Sequence, residues 1–300
     1  MSFSSDSKAE ICRLKIEKPC CAVAESCGVL MFCNTFSLNE IRIITASREF
    51  SMRLPKLFKK AFNIEFDVLP DFESAGKKSF IIKNPGKLSS ILSTLSLDSP
   101  AGFSLHVNFA LLEEDCCKAS FIRGAYLAGG SITDPGKSYH LELASSHKSA
   151  ARETCSILQE LNLYPGESQR TGNTLLYFKQ SDSIADFLTV IGAPVSAMSV
   201  MTAKVDKEMR NAITRQINCD SANADKTVLA SQSQLNAIKK YSARHGLDSL
   251  PEPLKDAALL RITNPEASLS DLSKLSIPPV SKSCLSHRLN KIISLVSEEE

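Results

Sequence analysis

The chain has little net charge. Its 300 residues carry 35 Lys and Arg against 33 Asp and Glu, a formal charge of +2. No global positive field marks it for nucleic acid, so any such surface must be local. No apolar run reaches the ~20 residues that span a bilayer. The opening, MSFSSDSKAEICRLKIEK, lacks the apolar stretch of a secretory signal. The expectation is no membrane partner, a cytoplasmic setting and reduced thiols. The ten cysteines, at 12, 20, 21, 27, 33, 116, 117, 155, 219 and 284, include no CxxC pair and no Cys/His group at zinc spacing. Most are expected as small core residues, and no metal or cofactor is expected. Walker, GxGxxG and GxSxG signatures are also missing, which removes the nucleotide-binding and acyl-transfer chemistries that depend on them.

An ordinary globular composition is present, 43% hydrophobic and 23% charged, long enough for two or three domains. The chain also holds an internal repeat. An offset of 96 residues lays CCAVAESCGVLMFCNTF over CCKASFIRGAYLAGGSI, so that Cys20-Cys21 falls on Cys116-Cys117, Gly28 on Gly124 and Leu30 on Tyr126. The stretches downstream of the two copies agree in kind. In the first half, residues 36–46 read as a hairpin, 48–62 as a helix disturbed by Pro55, and 64–72 and 78–83 as strands around the turn Ser74-Ala75-Gly76. A last helix opens at Pro85-Gly86. In the second half, residues 139–143 and 173–179 read as strands and 150–161 as a helix. A final helix is capped by Ser181 and ends at Gly192. Each half is thus α-β-β-α-β-β-α, and pairing the halves buries their leading helices against each other. Gly28, Gly124, Ala128, Gly129 and Gly130 are small enough to let them approach. A helical glycine costs ~1 kcal/mol relative to alanine, so it calls for a packing reason.

These segments resemble the LAGLIDADG homing endonucleases. The resemblance implies two helices at a pseudo-two-fold axis over DNA, each ending in an acidic residue that holds metal at the cleavage site. Here those positions fall on Cys33 and Gly129. Two-metal cleavage needs hard oxygen ligands; glycine offers none and a thiol is too soft for Mg²⁺. Glu25 lies too early in its helix and Asp134 beyond the end of its own. The expectation is a scaffold without catalytic residues, not an enzyme.

The last third is expected to be all helical. The polar stretch CDSANAD (219–225) reads as a linker or helix start, followed by a helix over 227–245 and another after Pro251 or Pro253. Ser268 and Asp271 form the start of a short helix whose apolar stripe is Leu269, Leu272 and Leu275. Pro278-Pro279 turns the chain. Ser281 then caps a helix with Leu285, Leu289, Ile292, Ile293 and Val296 on its buried face. This is a helix-turn-helix pattern at about 268–296, or else a plain helical hairpin. In the first reading the DNA-binding residues are Ser281, Lys282, Ser283, Ser286, His287, Arg288, Asn290 and Lys291, with Arg288 equally suited to a structural ion pair. Three further groups stand out. His140 and His147 with Glu142 read as a metal site or a solvated edge. Arg53, Lys56, Lys59 and Lys60, and likewise Lys204, Lys207, Arg210 and Arg215, read as phosphate-contacting or simply solvated faces.

Over nearly its whole length the chain resembles the WhiA family of bacterial sporulation and cell-division regulators. The resemblance rests on MSFSS, the two cysteine pairs, RGAYLAGGSITDP (123–135), YHLE (139–142), FLTVIGA (187–193), MRNAITRQINCDSANADKT (209–227) and SKSCLSHRLNKI (281–292). Cys27 and Cys33 are departures in the first helix. The resemblance implies a σ-factor-like helix-turn-helix and an α+β fold, a duplicated LAGLIDADG-like domain (1–115 and 116–218) followed by a helical domain (219–300). It also implies a sequence-specific transcriptional regulator acting in cell division, chromosome segregation or sporulation. Its partners would be double-stranded DNA and RNA polymerase or another regulator, in a nucleoid-associated setting. The alternatives are a protein-interaction scaffold and a nuclease with displaced metal ligands.

Overall fold

The computed structural model describes residues 2–73, 76–97 and 105–298, and the chain forms two compact units, Met1–Lys207 and Glu208–Glu300. Unit 1 opens with α1 (Phe3–Cys12), where the Ser5 N–H donates to the Ser2 hydroxyl. Then come α2 (Pro19–Met31), β1 (Thr35–Phe36), β2 (Ile41–Thr45), α3 (Arg48–Phe62), β3 (Lys78–Ile82) and α4 (Pro85–Thr94). After a 3₁₀ turn the pattern recurs as α5 (Asp115–Gly129), β4 (Gly130–Ile132), β5 (Leu141–Ser145), α6 (Lys148–Glu160), β6 (Gly166–Arg170), β7 (Asn173–Phe178) and α7 (Ser181–Val190). The first half forms an antiparallel sheet ordered β1-β2-β3 and the second a sheet ordered β4-β5-β7-β6. One face of each sheet is buried: Ile41 and Ile43 in the first half, Leu141, Leu143, Leu176 and Phe178 in the second.

The second half follows the expected order of elements; the first is shorter by a strand. Residues 64–72 make only a single bridge, Val68 with Ile81. Pro70 removes a ladder donor there. The Asp67 carboxylate takes the Lys83 and Asn84 N–H groups at 2.6 and 2.7 Å, turning the chain away from further pairing. Ser74 and Ala75 of the expected turn lie outside the described residues. The α3 helix runs through Pro55 without a break. Its fully buried Phe50, Leu54, Leu57 and Phe58 supply packing that outweighs the ~3 kcal/mol an interior proline costs. Ser181 is the first residue of α7 rather than its cap, which is Gln180 and makes no side-chain bond. Gly192 ends that segment at φ +88°.

The leading helices α2 and α5 cross in atomic contact. A Cβ on Gly28 would lie 2.0 Å from the Phe121 carbonyl oxygen and 2.9 Å from the Ala125 nitrogen; one on Gly124 would lie 2.0 Å from the Glu25 oxygen and 2.9 Å from the Val29 nitrogen. The offset of 96 carries 25 onto 121, 28 onto 124 and 29 onto 125, so the repeat seen in the sequence is a pseudo-two-fold in the packing. Beside the crossing, Glu25 and Arg53 form a buried bidentate pair (2.6 and 2.8 Å), with Arg123 3.5 Å from the same carboxylate. Arg53 also donates to the Leu14 carbonyl at 2.6 Å. Arg53 is therefore not part of a solvated basic face.

The cysteines do not behave as a set of core residues. Cys27, Cys33 and Cys117 are buried, Cys20, Cys116 and Cys219 are exposed, and the other four are half-buried. Helix face decides this: in the first turns of α2 and α5, Cys20 and Cys116 are exposed, whereas the next residues, Cys21 and Cys117, are half-buried and buried.

The α8 helix (Pro194–His245) runs 52 residues and belongs to both units. The stretch 219–225, expected as a linker or helix start, is continuous helix, and the compact units divide at 207/208. No glycine or proline occurs between Val195 and His245 to break it. Its N-terminus is capped from a distance. The Glu10 carboxylate accepts from the N–H groups of Val195 and Ser196 at 2.7 and 2.9 Å and from the Ser196 hydroxyl at 2.6 Å. A carboxylate at this end also complements the helix dipole. Gly246 comes directly after the helix, at φ +77°.

Unit 2 continues with α9 (Glu252–Thr263), α10 (Leu269–Leu275) and α11 (Lys282–Ser297). Its core gathers Ile238, Leu250, Ala257, Ala258, Leu272, Leu285, Leu289 and Ile292. Leu275, expected on the apolar stripe, is 52% exposed, because α10 ends there and the next residue is extended. Ile293 is half-buried; Val296 is buried, and Leu295 packs against the core. No helix among the described residues is long and apolar enough to cross a membrane.

Gly124→Ala places a methyl carbon where Glu25 backbone already stands. Overpacking of this kind costs about 1–3 kcal/mol and occasionally more. The expected outcome is a fall of at least that size in unfolding free energy, measured by urea titration of unit 1 signals. A neutral Gly124→Ala would mean that the helices can part freely.

Candidate nucleic-acid interface

The second helix of the turn motif is built to present a polar face. The Ser281 hydroxyl accepts from the Cys284 N–H at 3.2 Å and lies 3.0 Å from the Ser283 hydroxyl. Ser268 does the same for α10, accepting from the Asp271 N–H at 3.2 Å and bonding the Asp271 carboxylate at 2.6 Å. The turn between them contains a cis peptide at Ile277-Pro278. There the Ser276 hydroxyl accepts from the Val280 N–H at 2.9 Å.

From the capped start, Leu285, Leu289, Ile292 and Val296 anchor one side of α11. Helical spacing puts Ser283, His287, Asn290 and Lys291 on the opposite side, and all four are exposed. Ser281 and Lys282 are exposed at the N-terminal end, where unpaired N–H groups and the macrodipole favour a phosphate. Ser286 is half-buried on one flank. Arg288 is half-buried on the other, lining a cleft of about 440 Å³ with Glu252, Asp256 and Pro278. It forms no ion pair among the described residues. Six of the eight expected residues thus lie on the outward side or the N-terminal end, while Ser286 lies on a flank and Arg288 at the border with α9. One residue not singled out from the sequence joins them: Lys226 of α8 lines the same small cleft as Lys282. Only the fold brings together positions so far apart in the chain.

The two metal-ligand positions of the endonuclease scaffold look different in detail. Cys33 lies just past the end of α2, buried, its thiol donating to the Leu30 and Thr35 carbonyls at 3.2 Å each. Burial pushes this thiol up to about 12, so it is uncharged at neutral pH. Gly129 is the last residue of α5. A Cβ there would stand 2.6 Å from the Ala144 carbonyl oxygen and 3.0 Å from the Phe32 ring. The nearby acids are committed elsewhere. Glu25 is paired with Arg53, and the Asp134 carboxylate accepts from the Gly136 N–H at 2.8 Å.

The other expected groups are dispersed. His140 lies 3.3 Å from Glu142 and stacks on Tyr177, whereas His147 stands at the N-cap position of α6 without a side-chain capping bond, held below its usual range by burial. They share no site. Lys60 donates to the Ile16 and Glu17 carbonyls at 2.6 and 2.7 Å, and Lys59 pairs with Glu65 at 3.2 Å. Lys56 remains exposed beside a cleft of about 800 Å³ along α3. Lys204 pairs with Asp182 at 2.7 Å and Lys207 stands over the Tyr139 ring. Arg215 bonds the Asn211 carbonyl of its own helix.

Known proteins share this arrangement. Residues 213–296 match the WhiA C-terminal HTH domain and residues 118–210 the WhiA LAGLIDADG-like domain. A probable cell division protein WhiA from Alkaliphilus metalliredigens is 32% identical over 312 aligned residues, covering 100% of this chain and 98% of its own. One from Bacillus velezensis is 33% identical, over 99% of this chain and 97% of its own. The crystal structure of full-length WhiA from Thermotoga maritima is similar in fold, with a TM-score of 0.61 at 23% identity over 99% of both chains. With relatives of this identity matched from end to end and both domain families found in order, the chain belongs to the WhiA family.

Proposed function

We propose that this protein is a non-cleaving, sequence-specific DNA-binding regulator of transcription that serves cell division, chromosome segregation or sporulation. The observation that carries the proposal is α11: a capped helix anchored on an independent core, with its polar residues facing away from that core. In this reading Ser283, His287 and Asn290 reach base edges in the major groove. Ser281, Lys282, Lys291 and Lys226 hold phosphates. Arg288 and Ser286 flank the reading face, and Arg288 serves a backbone phosphate. The halves 1–115 and 116–218 form one platform and 219–300 the reading domain. The platform adds nonspecific DNA contact or recruits RNA polymerase or another regulator at the nucleoid.

Loss of cleavage is a consequence of the scaffold positions. A buried neutral thiol and a glycine packed against backbone cannot hold Mg²⁺, and an acid at 129 would need β5 to move. Names of the relatives support the cell-division setting. A protein-docking role is favoured as the second reading by Met209, Ile213 and Ile217, exposed at four-residue intervals along α8.

The first experiment incubates the protein with fragmented bacterial genomic DNA and Mg²⁺, then sequences the bound fragments and their ends. A shared motif without new ends is expected. New ends at one site would restore the nuclease reading, and neither motif nor cutting would favour the docking role. With the motif in hand, Asn290→Ala should cost about 1–3 kcal/mol and relax specificity at one base pair. Arg288→Ala should weaken binding without changing the motif. A motif change in Arg288→Ala would move Arg288 into the reading set. Lys282→Ala should lower affinity on all sequences and reduce the slope of log K against log salt by about one.

A further inference from the structure

The two adjacent-cysteine pairs, 96 residues apart, meet. Cys20 and Cys21 occupy the first turn of α2, Cys116 and Cys117 the first turn of α5. The sulfurs of Cys20, Cys21 and Cys117 all lie within 4.8 Å of one another, the sole such grouping of His, Cys, Asp or Glu among the described residues. Cys21 directs its thiol to the Cys116 carbonyl at 3.7 Å, and Lys18 stands 3.9 Å from the Cys116 sulfur. All four are free thiols. We propose that Cys20, Cys21 and Cys117 form a binding site for a thiophilic d¹⁰ metal ion, Zn²⁺ in the first instance, that clamps the two halves of unit 1 together at the start of their central helices.

Geometry, electrostatics and donor chemistry support this. A Zn–S bond is about 2.3 Å, which sets tetrahedral thiolates about 3.8 Å apart, so the sulfurs need to move by only about 1 Å. A disulfide would need two of them at about 2.05 Å with a restricted dihedral. Both pairs lie in the first turn of a helix of 13 or 15 residues, where the dipoles and free N–H groups favour thiolate. Three soft donors suit Zn²⁺ and not Mg²⁺ or Ca²⁺.

Binding displaces one proton from each coordinating thiol to solvent, so Zn²⁺ with three thiolates carries a single negative charge, beside Lys18. Cys116, whose thiol also neighbours that of Cys21, is the candidate fourth ligand. An ion here would tie α2 to α5 across the glycine crossing. The site is independent of the DNA-reading proposal, because it lies in unit 1 and its readout needs no DNA.

The test uses the full-length protein, reduced and stripped of metal, titrated with Zn²⁺ against a chromophoric chelator. One zinc per chain is expected, with proton release and a thermal midpoint that rises with zinc concentration. Co²⁺ in its place should give thiolate-to-cobalt charge-transfer absorption. Cys20→Ser and Cys21→Ser should each abolish stoichiometric binding. Cys20 is exposed, so Cys20→Ser keeps the fold, checked by circular dichroism; Cys117→Ser is buried and less suitable. Cys219→Ser, in unit 2, should bind as the parent does. Absence of zinc binding by the reduced parent would overturn the proposal. So would binding unchanged in Cys20→Ser and Cys21→Ser, or a Cys20–Cys117 disulfide in protein isolated under reducing conditions.

Discussion

The approach of α2 to α5 is the constraint on which unit 1 depends. With Cβ positions that would fall 2.0 Å from the opposite backbone, the two helices touch main chain to main chain at Gly28 and Gly124. That distance sets where the two sheets stand, because each leading helix feeds directly into the first strand of its half. It also explains the amino acids around it. Flanking residues on the contact are Val29 and Ala125, and the bulky Leu30 and Tyr126, equivalent by the repeat, are fully buried on neighbouring faces. The Tyr126 hydroxyl is satisfied 2.7 Å from Ser7, which brings α1 onto the same assembly. Glycine's entropic cost is thus offset by a close contact that no other residue permits.

The same crossing shows what has become of an acid in this scaffold. Glu25 stands one turn before Gly28, and in place of solvent or metal it meets Arg53 and Arg123. Taking a carboxylate out of water is tolerable only with such geometry, and removing one partner of a buried pair costs about 3–5 kcal/mol. Arg53 at once reaches the Leu14 carbonyl, so the pair fastens the segment after α1 to the central helices. A charge that the sequence places on a basic stripe of α3 is spent inside the protein. The lysines beside it divide between carbonyls, a carboxylate and open water.

Much of this is legible in the sequence because it is local or periodic. The repeat offset, the Ser268 and Ser281 caps, the buried spacing of α11 and the glycines of the crossing are all carried by neighbours within a few residues or by matched strings. The remainder depends on contacts between distant positions. Glu10 caps a helix that starts at Pro194; Arg53 finds Glu25; Lys226 joins Lys282; Cys20 and Cys21 meet Cys117. A search at zinc-finger spacing looks for ligands close in the chain, and these come from two helix starts brought together by the pseudo-two-fold. The continuity of α8 is hidden for another reason. CDSANAD is polar and small, which suits a linker, but it contains alanines and no breaker, and the Thr227 hydroxyl bonding back to the Asn223 carbonyl at 2.9 Å is compatible with helix.

In unit 2 the requirement is rigidity rather than close approach. A helix presents its polar side chains as a defined surface only if it is held in register, and α11 has a small core of eight buried residues to hold it. Polar groups complete that core. Arg261, 1% exposed, donates to the Gln234 side chain at 2.9 Å and to the Ala267 carbonyl at 2.6 Å, and Ser231 bonds the Pro265 carbonyl. These bonds connect α8, α9 and the loop before α10, so the support of the turn motif is fixed by directional contacts as well as by apolar area. A guanidinium buried in this way demands its partners in one arrangement, since an unpaired alternative would cost more than the net worth of the bonds. That asymmetry favours a single orientation of α10 under α11, and it is why the near-neutral chain can present its few positive and polar side chains as a defined local surface.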